Sequence, residues 1–161
     1  MNTTDQRPEH TGVKPTIVLV HGAYADASSW NGVIERLQQQ RYTVIAPANP
    51  LRGVTADSAY TASLLNQIDG PVLLVGHSYA GAVITNAATS TPNVVGLVYI
   101  AAFATEEGEN LNDVESGSTD SILGAGADIT EVEGSHVIMI SQPQAVTDVI
   151  VTAAKAVAGS R

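Results

Sequence analysis

Val72-Leu73-Leu74-Val75 is an apolar run too short for a helix, and it passes through Gly76-His77-Ser78-Tyr79-Ala80-Gly81 into a small-residue segment of helical character. An uninterrupted apolar run of this length belongs to a strand covered on both faces, the inner position of a parallel sheet. Glycines at 76 and 81 with an alanine at 80 leave room for a sharp strand-to-helix turn, and such a turn exposes one side chain, Ser78. A serine so placed attacks a carbonyl when a histidine lies within hydrogen-bond reach and backbone N–H groups face the developing oxyanion. A bare Gly-x-Ser also fits an N-capping serine. The strand before it and the small residues after it favour the nucleophile.

The remaining pattern sets this stretch in a repeating strand-helix order. Thr16 to Val20 reads as a first strand, and His21-Gly22-Ala23-Tyr24 as a sharp turn at its end. Trp30, Val33, Ile34 and Leu37 recur at helical spacing, with Ser28 or Ser29 placed to cap the helix. Tyr42 to Pro47 reads as a second strand, Thr55 to Ile68 as a helix stopped by Asp69-Gly70-Pro71, and Val94 to Ile100 as a fourth strand. A short strand around Ile129 to Val132 and a last helix opened by Ser141-Gln142-Pro143-Gln144, a capping box with proline in the first turn, complete the pattern. The fold expected is α/β, a doubly wound, mostly parallel sheet of about five strands with helices on both faces. Residues 1–15 read as a flexible leader and 16–161 as one domain, in which 104–128 forms a short polar connection.

Charge narrows the partners. The 161 residues carry 16 acids against 7 bases, a formal net charge of -9, and no Lys or Arg lies between Arg52 and Lys155. Such a surface is a poor match for nucleic acid or an anionic membrane. With no cysteine there is no disulfide, thiolate metal site or cysteine nucleophile, and the four histidines, His10, His21, His77 and His136, are scattered rather than clustered. The start lacks a secretory h-region, and no apolar run approaches the ~18 residues of a membrane span. The protein is expected to be soluble and cytoplasmic by default, and nothing in the pattern implies a metal or organic cofactor.

His136 is the candidate base. It stands two residues after Gly134 in the loop following the last strand, at the end of the sheet where Ser78 sits. His77 adjoins Ser78, but at a tight turn its side chain points away, which assigns it to packing. The N–H groups of Ala23 and Tyr79 are the candidate oxyanion hole, and His21 is the residue expected to hold the Ala23 loop by hydrogen bonds.

Thr16 to Ala23, Gly76 to Gly81 and Glu131 to His136, in that order, resemble an α/β-hydrolase of the small esterase and hydroxynitrile-lyase-like branch. The resemblance covers nearly all of 16–103 and 127–157. It implies Ser78 as nucleophile, His136 as general base and acid, and the Ala23 and Tyr79 amides as oxyanion hole. Ala80 stands where the motif's last glycine is usual. The family's cap over the pocket and its acid-bearing strand have no counterpart between Phe103 and Ala127, where seven acids and no base occupy 104–128. Glu106 or Glu107, just past the fourth strand, is the candidate replacement acid, and Asp120 and Asp128 are looser ones. Loss of the acid cost ~10⁴ in rate in a serine protease. A shortened connection also allows the last strand to move inward, which would carry His136 by ~4.8 Å relative to Ser78.

The function expected is a capless serine hydrolase cleaving small uncharged carboxylic esters through an acyl-serine intermediate. The alternative is a truncated hydrolase domain with impaired or no catalysis. A hydroxynitrile-lyase-type activity ranks below both, since that chemistry uses a further positive group and no lysine occupies the expected region. A missing cap and strand would expose apolar surface, through which copies of the chain would self-associate.

Overall fold

A computed structural model of the chain describes residues 12–102 and 130–159. Strands β1 (Thr16–Val20), β2 (Val44–Ile45), β3 (Val72–His77) and β4 (Val94–Ile100) form one parallel sheet in the order β2-β1-β3-β4. Helices α1 (Asn31–Gln39), α2 (Val54–Leu65) and α3 (Ala80–Ala88) alternate with them, and α4 (Ile138–Ser141) and α5 (Pro143–Gly159) follow the connection. The doubly wound parallel arrangement is the one the strand-helix alternation predicts.

Period-two alternation sorts the strand residues onto two faces. Ile17, Leu19, Leu73, Val75, Val98 and Ile100 pack with Trp30, Val33 and Leu37 of the first helical segment and Val146, Ile150 and Ala154 of α5. On the opposite face Val18, Val20, Val72 and Leu74 pack with Ala62 and Leu65 of α2 and with Ala80, Ile84 and Ala87 of α3. Every β3 residue is buried, because this strand has neighbours on both sides and helices on both faces. Site-bearing residues therefore leave a rigid central strand.

Four details depart from the sequence reading. The second strand shrinks from Tyr42–Pro47 to Val44–Ile45. It lies at an outer position beside β1, and only two residues form ladder pairs. Residues 130–132, expected as part of a fifth strand, are irregular, while Ile129 lies outside the described residues, so the sheet has four strands among the described residues. Neither Ser28 nor Ser29 caps the helix: Asp26 caps the short 3-10 turn Ala27–Trp30 that leads into α1, its carboxylate accepting from Ser28 N–H at 2.8 Å, and α1 continues from that turn with no side-chain cap of its own. Finally, the Ser141 hydroxyl does not serve the start of α5. It accepts from Ser135 N–H at 3.4 Å, turned back towards the histidine loop.

Ahead of β1, Lys14 donates from Nζ to the Gln40 carbonyl at 2.8 Å and lies 4.5 Å from the centre of the Tyr42 ring. The approach to the sheet is thereby tied to the end of α1.

Candidate active site

The turn after β3 is built by close approach. A Cβ on Gly76 would stand 2.8 Å from the Ala80 carbonyl oxygen, so only glycine lets α3 start this near the strand. The chain then passes through Ser78 at φ 54, a left-handed conformation that costs a non-glycine residue about 1–3 kcal/mol. That conformation is held by Ser78 N–H donating to the Ile100 carbonyl at 3.1 Å and by Gly81 N–H donating to the Ser78 carbonyl at 2.9 Å. The result is a half-buried serine, with its hydroxyl presented at the carboxyl end of the sheet.

His136 meets it there. The histidine is exposed, and its Nε2 lies 2.8 Å from Ser78 Oγ. A loop rather than a strand delivers it: Met139 of α4 is fully buried in the core cluster that contains Trp30, which anchors the loop from behind. Among the described residues none hydrogen-bonds the Nδ1 of His136. Glu106, Glu107, Asp120 and Asp128, the candidate acids, lie outside the described residues.

The first-strand turn packs against the same junction. A Cβ on Gly22 would come within 2.9 Å of the His77 carbonyl oxygen and 3.2 Å of Ser78 Cβ, so Gly22 lies directly against the serine. Ala23, next in the chain, is exposed. His21 locks this turn as expected: Asn49 N–H donates to its Nε2 at 2.8 Å, so its Nδ1 carries the hydrogen and donates to the Gly22 carbonyl at 2.9 Å. Asn49 Nδ2 adds a bond to the His21 carbonyl at 3.0 Å.

Tyr79 has a partner that pattern reading missed. Its hydroxyl donates to Asp57 Oδ2 at 2.6 Å, and Arg52 N–H donates to Asp57 Oδ1 at 2.9 Å. Asp57 is fully buried in the first turn of α2, so an acid that reads as a helix-start residue anchors the residue beside the serine. As the residue preceding α3, Tyr79 carries one of the N–H groups with no intrahelical carbonyl to serve. Burial, and then the hydrogen bond and negative charge of Asp57, push the tyrosine hydroxyl well above its usual 10.0. Tyr79→Phe leaves one carboxylate oxygen buried without its donor and is expected to cost about 1–3 kcal/mol in a urea melt.

His77 is buried among aromatic rings, edge-on to Trp30 with centroids 6.5 Å apart and tilted against His136 at 5.0 Å. Its Nε2 bonds the His136 carbonyl oxygen at 2.8 Å. A carbonyl only accepts, so Nε2 carries the hydrogen and Nδ1, buried with no partner among the described residues, does not. Burial, above all, holds this imidazole below its ordinary 6.5, with the neighbouring His136 and His21 adding to the effect and the bond to His136 opposing it. The unfolded chain therefore takes up this proton more readily than the folded one. The stability this neutral ring supplies is complete above 6.5 and is lost as the pH falls towards the depressed folded value. Urea midpoints on the two sides of 6.5 should show the loss, and His77→Gln, which has no proton to take up, should reduce it.

Residues 17–129 match the alpha/beta hydrolase family. This chain belongs to that family. Among hydrolases of known sequence, it is 32% identical over 107 residues to a carbendazim-hydrolysing esterase from Nocardioides sp. (58% of this chain, 44% of that one). It is 33% identical over 106 residues to a pyrethroid hydrolase from Sphingobium wenxiniae (57% and 37%). Among solved structures, an extracellular alpha/beta-hydrolase from a Paenibacillus species matches with a TM-score of 0.56 and 27% identity over 62% of this chain and 45% of that one. The chain thus spans less than half the length of these hydrolases. Among the described residues of this family member, no group of three or more acids and histidines could hold a metal ion. No described helix is long and apolar enough to cross a membrane.

Proposed function

We propose that this alpha/beta hydrolase cleaves small uncharged carboxylic esters through an acyl-serine intermediate. The observation that carries the proposal is the 2.8 Å approach of His136 Nε2 to Ser78 Oγ at a left-handed turn. In this reading Ser78 Oγ attacks the ester carbonyl as its proton passes to Nε2 of His136. The tetrahedral oxyanion is held by the N–H groups of Ala23 and Tyr79, and His136 returns the proton to the departing alcohol. Water, deprotonated by the same imidazole, then releases the acid and restores the serine. Relatives named as an esterase and a pyrethroid hydrolase support an ester-directed chemistry. The net charge of -9 disfavours anionic substrates.

A serine-directed fluorophosphonate probe tests the proposal. It should label the folded protein, with labelling lost in both Ser78→Ala and His136→Ala. Folded protein that takes up no probe would instead be the non-catalytic domain.

A further inference from the structure

We propose that His77 is a positioning residue that sets the catalytic imidazole, acting through the backbone of His136. This inference rests on the hydrolase reading for its kinetic consequence, but its structural content is separate. Among the described residues, two hydrogen bonds join the 130–137 segment to residues 12–102: His136 Nε2 with Ser78 Oγ, and His77 Nε2–H with the His136 carbonyl. The first is the contact in which the chemistry occurs and breaks whenever Ser78 is acylated. The second survives every step. No strand holds residues 130–136; the Val137 carbonyl that follows is fixed by Ile140 N–H at 2.8 Å, but the bonds that reach Glu133 and Ser135 from the chain beyond are long, 3.3 Å from Gln142 Nε2 to the Glu133 carbonyl, 3.4 Å from Ser135 N–H to Ser141 Oγ and 3.3 Å from Ser135 Oγ to Ser141 Oγ.

The donor is rigid for reasons visible in the fold. His77 is the last residue of the fully buried β3, its ring stands edge-on to the buried Trp30, and Gly22 closes over Nδ1, where a Cβ would come within 3.0 Å. Nδ1 is buried there with no partner among the described residues, and the ring's single hydrogen goes from Nε2 to the His136 carbonyl. One peptide junction therefore places both reacting groups: Ser78 by the turn, and His136 by the side chain of the residue before it. A packing role alone would need a ring of this size but not a donor at this atom.

The test compares His77→Gln, His77→Asn and His77→Leu. A glutamine amide nitrogen falls near the position of Nε2, whereas an asparagine nitrogen falls near Nδ1, facing Gly22. Two readouts are taken on each folded variant: the rate of fluorophosphonate labelling, and hydrogen exchange of the 134–137 amides by mass spectrometry. The asparagine and leucine variants should label about ten-fold or more slowly, as a displacement of an ångström or less produces, and should exchange faster at 134–137. Glutamine should restore both. Equal labelling and protection in all variants overturns the proposal, and so does a glutamine variant that falls as far as asparagine. If wild-type protein does not label at all, the hydrolase reading fails, while exchange still decides whether His77 holds the loop: glutamine protected and asparagine unprotected supports it, and equal exchange overturns it.

Discussion

Ser78→Ala and His136→Ala are each expected to abolish ester hydrolysis to a similar extent, and the double variant to lose no more than either single one. The reason is the shared proton. At 2.8 Å, Ser78 Oγ and His136 Nε2 form one hydrogen-bonded unit, and removing either group leaves the other without its task. Where such a unit has been dissected, either residue alone accounts for on the order of 10⁶ in kcat, with the residual rate owed to the oxyanion hole and binding. Steady-state kinetics with p-nitrophenyl acetate on the three variants measures the coupling. Losses that multiply in the double variant would mean that the two side chains act separately.

The second large effect lies under the site. Gly76→Val places a branched side chain where even a Cβ comes within 2.8 Å of the Ala80 carbonyl oxygen and 3.1 Å of Ile84 Cδ1. The first of these is backbone, held by the helix start, and Gly76 is itself paired with Val20 and Tyr99 in the middle of the sheet. Neither side can retreat, so the variant should lose roughly 3 kcal/mol or more, a large share of a typical stability of about 5–15 kcal/mol. Gly70→Ala is the control. Gly70 has φ 84 with nothing within 4 Å of an added Cβ; its cost is therefore that of the left-handed backbone alone, about 1–2 kcal/mol. A urea melt should rank the two variants accordingly, and a Gly76→Val protein as stable as Gly70→Ala would contradict the close approach.

How much of this was legible in the sequence follows from how local each signal is. The strand that ends at the turn, and the small residues at 76, 80 and 81, are contiguous, so their geometry could be read directly. The lock at His21 follows from a strand-end turn that needs holding, although its partner Asn49 lies 28 residues on and has no pattern of its own. Asp57 was hidden for a similar reason. As an acid near a helix start it reads as a helix-dipole residue, and only the packing of α2 on α3 brings Tyr79 to it. Residues 130–132 mislead in the opposite direction, because the β-branched Ile129, Thr130 and Val132 suggest a strand wherever an edge is available to pair with. The direction of His77 at the turn assigns it to packing, and it is buried against Trp30. Its bond to His136 spans 59 residues and cannot be inferred from spacing.

The central claim is that Ser78 becomes acylated. Mixing the folded protein with excess p-nitrophenyl acetate, quenching in acid and mapping the peptides by mass spectrometry tests it most directly. The account predicts a burst of nitrophenolate matching the protein concentration and one acetyl group on the peptide containing Ser78, absent in Ser78→Ala. Folded protein that shows no burst and carries no acetyl group, or carries it on another residue, would contradict the account.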